Sequence, residues 1–158
     1  MRVRLIAVAS LLAVVVAYAC SDSTSPAGSR YVSTMSGPNE RPTPNTSAAT
    51  GTATYVLTGN LLTYTVTVTG LTAPASGSHI HIGASTVAGP IIVPYTVSAT
   101  QNGVVTSGTI DLTYPIVSGS SSITGDSLKV LLENGSAYTN VHNSSFPGGE
   151  IRGQIVKQ

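Results

Sequence analysis

Apolar and hydroxyl side chains alternate strictly along residues 62–69. Leu62, Tyr64, Val66 and Val68 fall on one side, and Thr63, Thr65, Thr67 and Thr69 on the other. A period of two belongs to a strand with one buried face, because successive strand side chains point to opposite sides of the sheet. Residues 52–57 form a second β-prone run, and Gly59-Asn60 between the two makes a good two-residue hairpin turn. Shorter segments of the same kind are Tyr31-Val32-Ser33-Thr34-Met35, Ser78-His79-Ile80-His81-Ile82, and residues 137–142 and 150–156. Residues 90–97 are apolar but carry Pro94, which has no N–H to give a ladder, so they predict an edge or bulged strand. Residues 104–112 predict one bent strand or two short ones. Pro38, Pro42 and Pro44 break regular structure before residue 45.

One stretch has a different period. Leu128, Leu131 and Leu132 stand at i, i+3 and i+4, Asp126 falls in what would be the first turn, and Gly135 follows as a stop. They predict a short helix over 124–134. The competing pattern turns Leu128, Val130 and Leu132 inward on a strand. Seven to nine short strands, Gly/Pro/Asn turns and at most one short helix predict an all-β fold, an antiparallel sandwich or barrel. With no Trp and one Phe, its core must be built from Val, Ile, Leu and Tyr.

The N-terminal residues read differently. Arg2 and Arg4 precede an apolar run over 5–16, and Ala17-Tyr18-Ala19 gives a small-x-small cleavage pattern. About a dozen apolar residues are too few to span a bilayer, which takes ~20, so residues 1–19 are expected to be a removable signal peptide. Cys20, the sole cysteine, cannot form an internal disulfide and stands directly after the cleavage point. Its position resembles the lipobox of bacterial lipoproteins, which implies lipidation of Cys20, with residues 20–29 as a flexible tether and 30–158 as the folded domain. The expected location is therefore the cell envelope, with the membrane as partner through the lipid; the alternative is a soluble secreted or periplasmic protein.

Removing residues 1–19 leaves 7 − 2 = 5 basic against 6 acidic side chains, a net charge near −1. No basic stripe offers itself to nucleic acid. Hydrolase and nucleotide chemistry find no Gly-x-Ser-x-Gly elbow and no Gly-rich phosphate loop, and no residue is assigned a catalytic role. The remaining partner is an unidentified protein or small ligand.

Candidate chemistry rests on three histidines. His79 and His81 share a face of a predicted strand, with Cα atoms roughly 6–7 Å apart. His142 lies in Asn140-Val141-His142-Asn143, ahead of the closing segment. Folding that brings His142 to the pair makes a three-nitrogen site for one copper or zinc ion, with Glu40 or Glu150 as a possible extra ligand. The competing reading is structural, with imidazoles hydrogen-bonded to backbone carbonyls at strand ends. Glu150 and Arg152, two residues apart, are expected to form an ion pair on one face of the last strand.

Three blocks together resemble the CHRD domain, a family named after chordin and common in exported bacterial proteins. They are Ser36-Gly37-Pro38-Asn39-Glu40-Arg41-Pro42; Ser78-His79-Ile80-His81-Ile82-Gly83 with Gly89-Pro90-Ile91-Ile92-Val93-Pro94; and Tyr138-Thr139-Asn140-Val141-His142-Asn143 with Pro147-Gly148-Gly149-Glu150-Ile151-Arg152-Gly153-Gln154-Ile155. Arg41 and Ser78 depart from the residues usual in the family. The resemblance implies an all-β fold, an antiparallel Greek-key β-sandwich of the immunoglobulin-like or superoxide-dismutase-like kind, and a binding or structural module rather than a reaction. A more distant resemblance is to copper-zinc superoxide dismutase, in which a His-x-His strand and a late histidine bind copper. It implies copper ligation by His79, His81 and His142. Dismutase activity is not expected: the chain has no bridging histidine and no disulfide partner, and Glu150 stands where that enzyme has its substrate-guiding arginine.

Overall fold

The computed structural model describes residues 28–158; the expected signal peptide, Cys20 and most of the tether lie outside the described residues. The elements are β1 (Ser29–Ser36), a 3-10 turn (Gly37–Asn39), β2 (Thr50–Thr58), β3 (Leu61–Thr69), β4 (Ala75–Ile82), β5 (Ile91–Pro94), β6 (Gly103–Asp111), β7 (Ile116–Ser118), β8 (Ser121–Ile123), α1 (Gly125–Glu133), β9 (Ala137–Asn143) and β10 (Ile151–Lys157).

Eight strands form one antiparallel sheet in the order β5-β4-β9-β10-β1-β2-β3-β6, and β7 and β8 form a separate hairpin. The all-β antiparallel class is as expected. β10 lies beside β1 of the β1-β2-β3 meander, which is the Greek-key placement of a returning strand. Tyr55 on β2 and Thr139 on β9 stand three places apart in this order, yet their hydroxyls meet at 2.6 Å. The sheet is therefore curled upon itself, and the two layers expected of a sandwich are halves of one continuous ladder. Its inner face buries one cluster that includes Tyr31, Met35, Tyr55, Leu62, Val66, Ile80, Val141 and Ile155. The segment after β5 closes the gap towards β6, with Ser98 N–H donating to Val105 O at 2.7 Å.

The local signals are visible in the elements. The hairpin closes on the pair Thr58–Leu61, with Gly59 at φ +60°, the positive φ that a II′ turn needs at its first central position. Leu62, Val66 and Val68 are buried, while Thr63, Thr67 and Thr69 are exposed. Residues 124–134 are helical: Leu128 and Leu132 are buried, but Val130 is 60% exposed, opposite to what the strand alternative requires. Thr124 caps α1 by accepting from Ser127 N–H at 3.2 Å, and Gly135 at φ +68° terminates it. β5 is an edge strand ending at Pro94, and residues 103–111 are one strand, its register against β3 shifting between Val66 and Thr67. The β7–β8 hairpin was not anticipated, because strands of three residues are too short to show a period.

The region that matters for function is β4-β9-β10. Thr139 and Val141 of β9 face the core, so Tyr138, Asn140 and His142 face the other way. Residues paired across a ladder share a face. His79 stands opposite Asn140 and His81 opposite Tyr138 on one side, Arg152 opposite Asn140 and Gln154 opposite Tyr138 on the other. This outer face is roofed by the loop after β4. Arg152 Nη2 donates to Ala84 O at 2.9 Å and Gln154 Nε2 to Gly83 O at 2.7 Å, while the Tyr138 hydroxyl accepts from Gly89 N–H at 3.0 Å. β9 is consequently buried on both sides over most of its length.

Candidate metal centre

Strand parity sends His79 and His81 to the outer face of β4, and the β4–β9 ladder brings His142 beside them. One ring nitrogen from each of the three lies within 4.8 Å of the others. His79 Nδ1 and His142 Nε2 are 3.2 Å apart. Four ligands at 2.0–2.1 Å around a tetrahedral ion stand ~3.4 Å from one another, so small side-chain rotations bring the set to coordination distance. Gly77 makes the approach possible. It pairs with His142 in the ladder, and a Cβ there would lie 3.3 Å from His79 Cε1 and 3.8 Å from His142 Cδ2.

The outer nitrogens of two rings are held by backbone carbonyls. His81 Nδ1 lies 2.8 Å from Gly89 O, and His142 Nδ1 lies 3.1 Å from Pro147 O. A carbonyl only accepts, so each neutral ring keeps its proton on Nδ1 and turns a bare lone pair on Nε2 towards the cluster. Carbonyls that hold the far nitrogen orient metal-binding imidazoles in this way. His81 Nε2 is buried with no hydrogen-bond partner, and a buried polar nitrogen of that kind calls for a partner. Burial pushes all three histidines down from their ordinary values. His79 reaches about 4, with the neighbouring His142 and His81 adding to the effect. For His81 and His142 burial outweighs the opposing Gly89 and Pro147 carbonyls. At neutral pH the rings are neutral, the form that binds metal.

The His81 ring stacks on Tyr138, with centroids 4.8 Å apart and planes 12° from parallel. From the neighbouring β10, the Arg152 guanidinium lies over the same tyrosine ring, its carbon 3.4 Å from the centroid. Tyr138 therefore fixes the plane of His81 from behind. Beyond it, a hollow of about 120 Å³ is lined by Asn39, Arg41, Ser85, Arg152 and Gln154.

Neither acidic candidate joins the histidines. Glu150 lies one residue before β10 and is fully buried. It accepts from Ser47 Oγ at 2.6 Å, from Thr72 N–H at 3.0 Å and from the Asn143 side-chain amide. The expected Glu150–Arg152 ion pair does not form, and the ion pairs among the described residues are Lys129–Asp126 and Lys157–Glu133. Glu40 is buried against Gly149, where a Cβ would fall 2.5 Å from its Oε1. Burial raises Glu40 to about 7, against the pull of Arg152. Sequence reasoning did not assign roles to Gly77, Tyr138 and Asn140. The last two stand at i−4 and i−2 from His142, so strand parity alone places them on its face.

These features coincide with the blocks noted in the sequence. No curated protein and no solved structure is significantly similar to the chain. The family model for the CHRD domain matches residues 31–155, from the third residue of β1 to the fifth of β10. The His-x-His strand, the late histidine and the Gly-Gly-Glu corner all lie within that match, and the chain belongs to the CHRD-domain family.

Proposed function

We propose that this CHRD domain is a non-catalytic module of the cell envelope that holds one transition-metal ion, copper ahead of zinc, between His79, His81 and His142. The observation that carries the reading is the inward turn of two Nε2 lone pairs, fixed by the Gly89 and Pro147 carbonyls, towards a third imidazole nitrogen. Nothing in a purely structural role needs three neutral imidazoles to converge, since each could satisfy itself at a separate carbonyl. Imidazole is a good ligand for both ions. Export with lipidation at Cys20 belongs to the same proposal: the tether would hold the module at a membrane, where it meets environmental metal.

The test is elemental analysis of protein purified without a polyhistidine tag after copper or zinc loading. About one equivalent per chain is expected, lost in both His81→Ala and His142→Ala. Wild-type protein that retains no metal would sink the reading. Mass spectrometry of the mature N-terminus tests the anchor separately, and an unacylated Cys20 in membrane-fraction protein would remove it.

A further inference from the structure

Asn140 stands directly across the β4–β9 ladder from His79 and two residues before His142, so its side chain shares their face. It is 3% exposed, a depth at which an amide needs partners. Its Oδ1 lies 3.0 Å from His142 Nε2. With the single proton of neutral His142 held at Nδ1 by Pro147 O, Nε2 and Oδ1 present lone pairs to each other. Two acceptors at that separation repel unless a proton or a metal ion lies between them or the amide turns its NH2 towards Nε2.

We infer that Asn140 Oδ1 is the fourth ligand of the ion, which makes the centre a closed three-nitrogen, one-oxygen site. This rests on the metal reading above and deepens it. Four protein ligands leave no open position for a substrate, as in structural rather than catalytic sites. An amide oxygen is a hard donor that suits divalent ions, so the set selects Cu(II) or Zn(II) over Cu(I).

The test loads wild type, Asn140→Ala and Asn140→Asp with Co(II), Cu(II), Zn(II) and Cu(I). Far-UV circular dichroism checks each fold, and the near-isosteric aspartate variant serves if the alanine variant does not fold. Asn140→Ala is expected to lose about tenfold or more in Cu(II) and Zn(II) affinity while Cu(I) affinity stays level. Its Co(II) complex should bind azide, with a shift of the visible bands that wild type does not show. Asn140→Asp should keep the wild-type Co(II) band pattern and bind divalent ions more tightly. Unchanged divalent affinity in the alanine variant, or in the aspartate variant where alanine fails to fold, overturns the assignment of Asn140, as does azide uptake by wild type; the three-histidine site then stands. A wild-type chain that binds none of the ions overturns both.

Discussion

Glu40 is held neutral by its surroundings for longer than a carboxylate in water. Burial raises it from 4.5 to about 7, and Arg152 and Arg41 only partly offset this. A carboxyl with a raised folded-state value retains its proton where the unfolded chain has lost it. Its contribution to stability is therefore complete below about 4.5 and is lost as pH rises through about 7. The shift corresponds to roughly 3 kcal/mol at most. Glu40→Gln keeps the neutral form at every pH, so it should unfold at higher urea than wild type at pH 8, with the gap closing by pH 4.5. Equal midpoints at both pH values would mean that folding does not raise Glu40. The histidines act in the opposite direction. Their folded-state values are lowered, so stability present above about 6.5 falls away with acid, for His79 down to about 4. Glu150 differs again, since its two oxygens accept from Ser47, Thr72 and Asn143. Glu150→Gln turns an amide donor towards groups that themselves donate and should cost ~2–4 kcal/mol in urea unfolding. A loss below about 1 kcal/mol would show that the three segments are held by other contacts.

At the scale of elements, the corner between β9 and β10 carries the site. Pro147 O anchors His142, and two residues later Gly149 adopts φ +124°, where an L side chain is strained. A Cβ at Gly149 would also collide with the Glu40 carboxyl. Gly149→Ala should therefore destabilise by about 2–4 kcal/mol and weaken metal binding with it, because any shift of the corner moves Pro147. Full metal affinity in a destabilised Gly149→Ala protein would show that the carbonyl does not position His142. The hairpin, the helix and the histidine strand were legible because each is long enough to display its period: eight alternating residues on β3, two buried leucines four apart on α1. The Glu150–Arg152 pair was misread for a physical reason. Alternation applies only within a strand, and β10 begins at Ile151, so the turn before it swings Glu150 inward. Asn140 was legible by parity, but its role depends on which nitrogen of His142 carries the proton, and a loop carbonyl five residues later sets that.

At the scale of the whole molecule, the three clustered imidazole rings come from two strands that are neighbours in the sheet but some sixty residues apart in the chain, as in the His79–His142 contact separated by 63 positions. The unfolded chain holds His79-x-His81 together but leaves His142 distant, so an ion bound to all three is bound to the folded state. By mass action such an ion stabilises the fold by RT ln(1 + [L]/Kd), about 2.7 kcal/mol at a free concentration one hundred times Kd. For a domain of this size that corresponds to a rise in Tm of about 10 °C. The rise should reverse on chelation and vanish in His142→Ala, which keeps the local His-x-His pair but loses the long-range ligand. If His142→Ala showed the same rise as wild type, the ion would sit on the local pair alone, and the ladder that brings β9 to β4 would have no part in holding it.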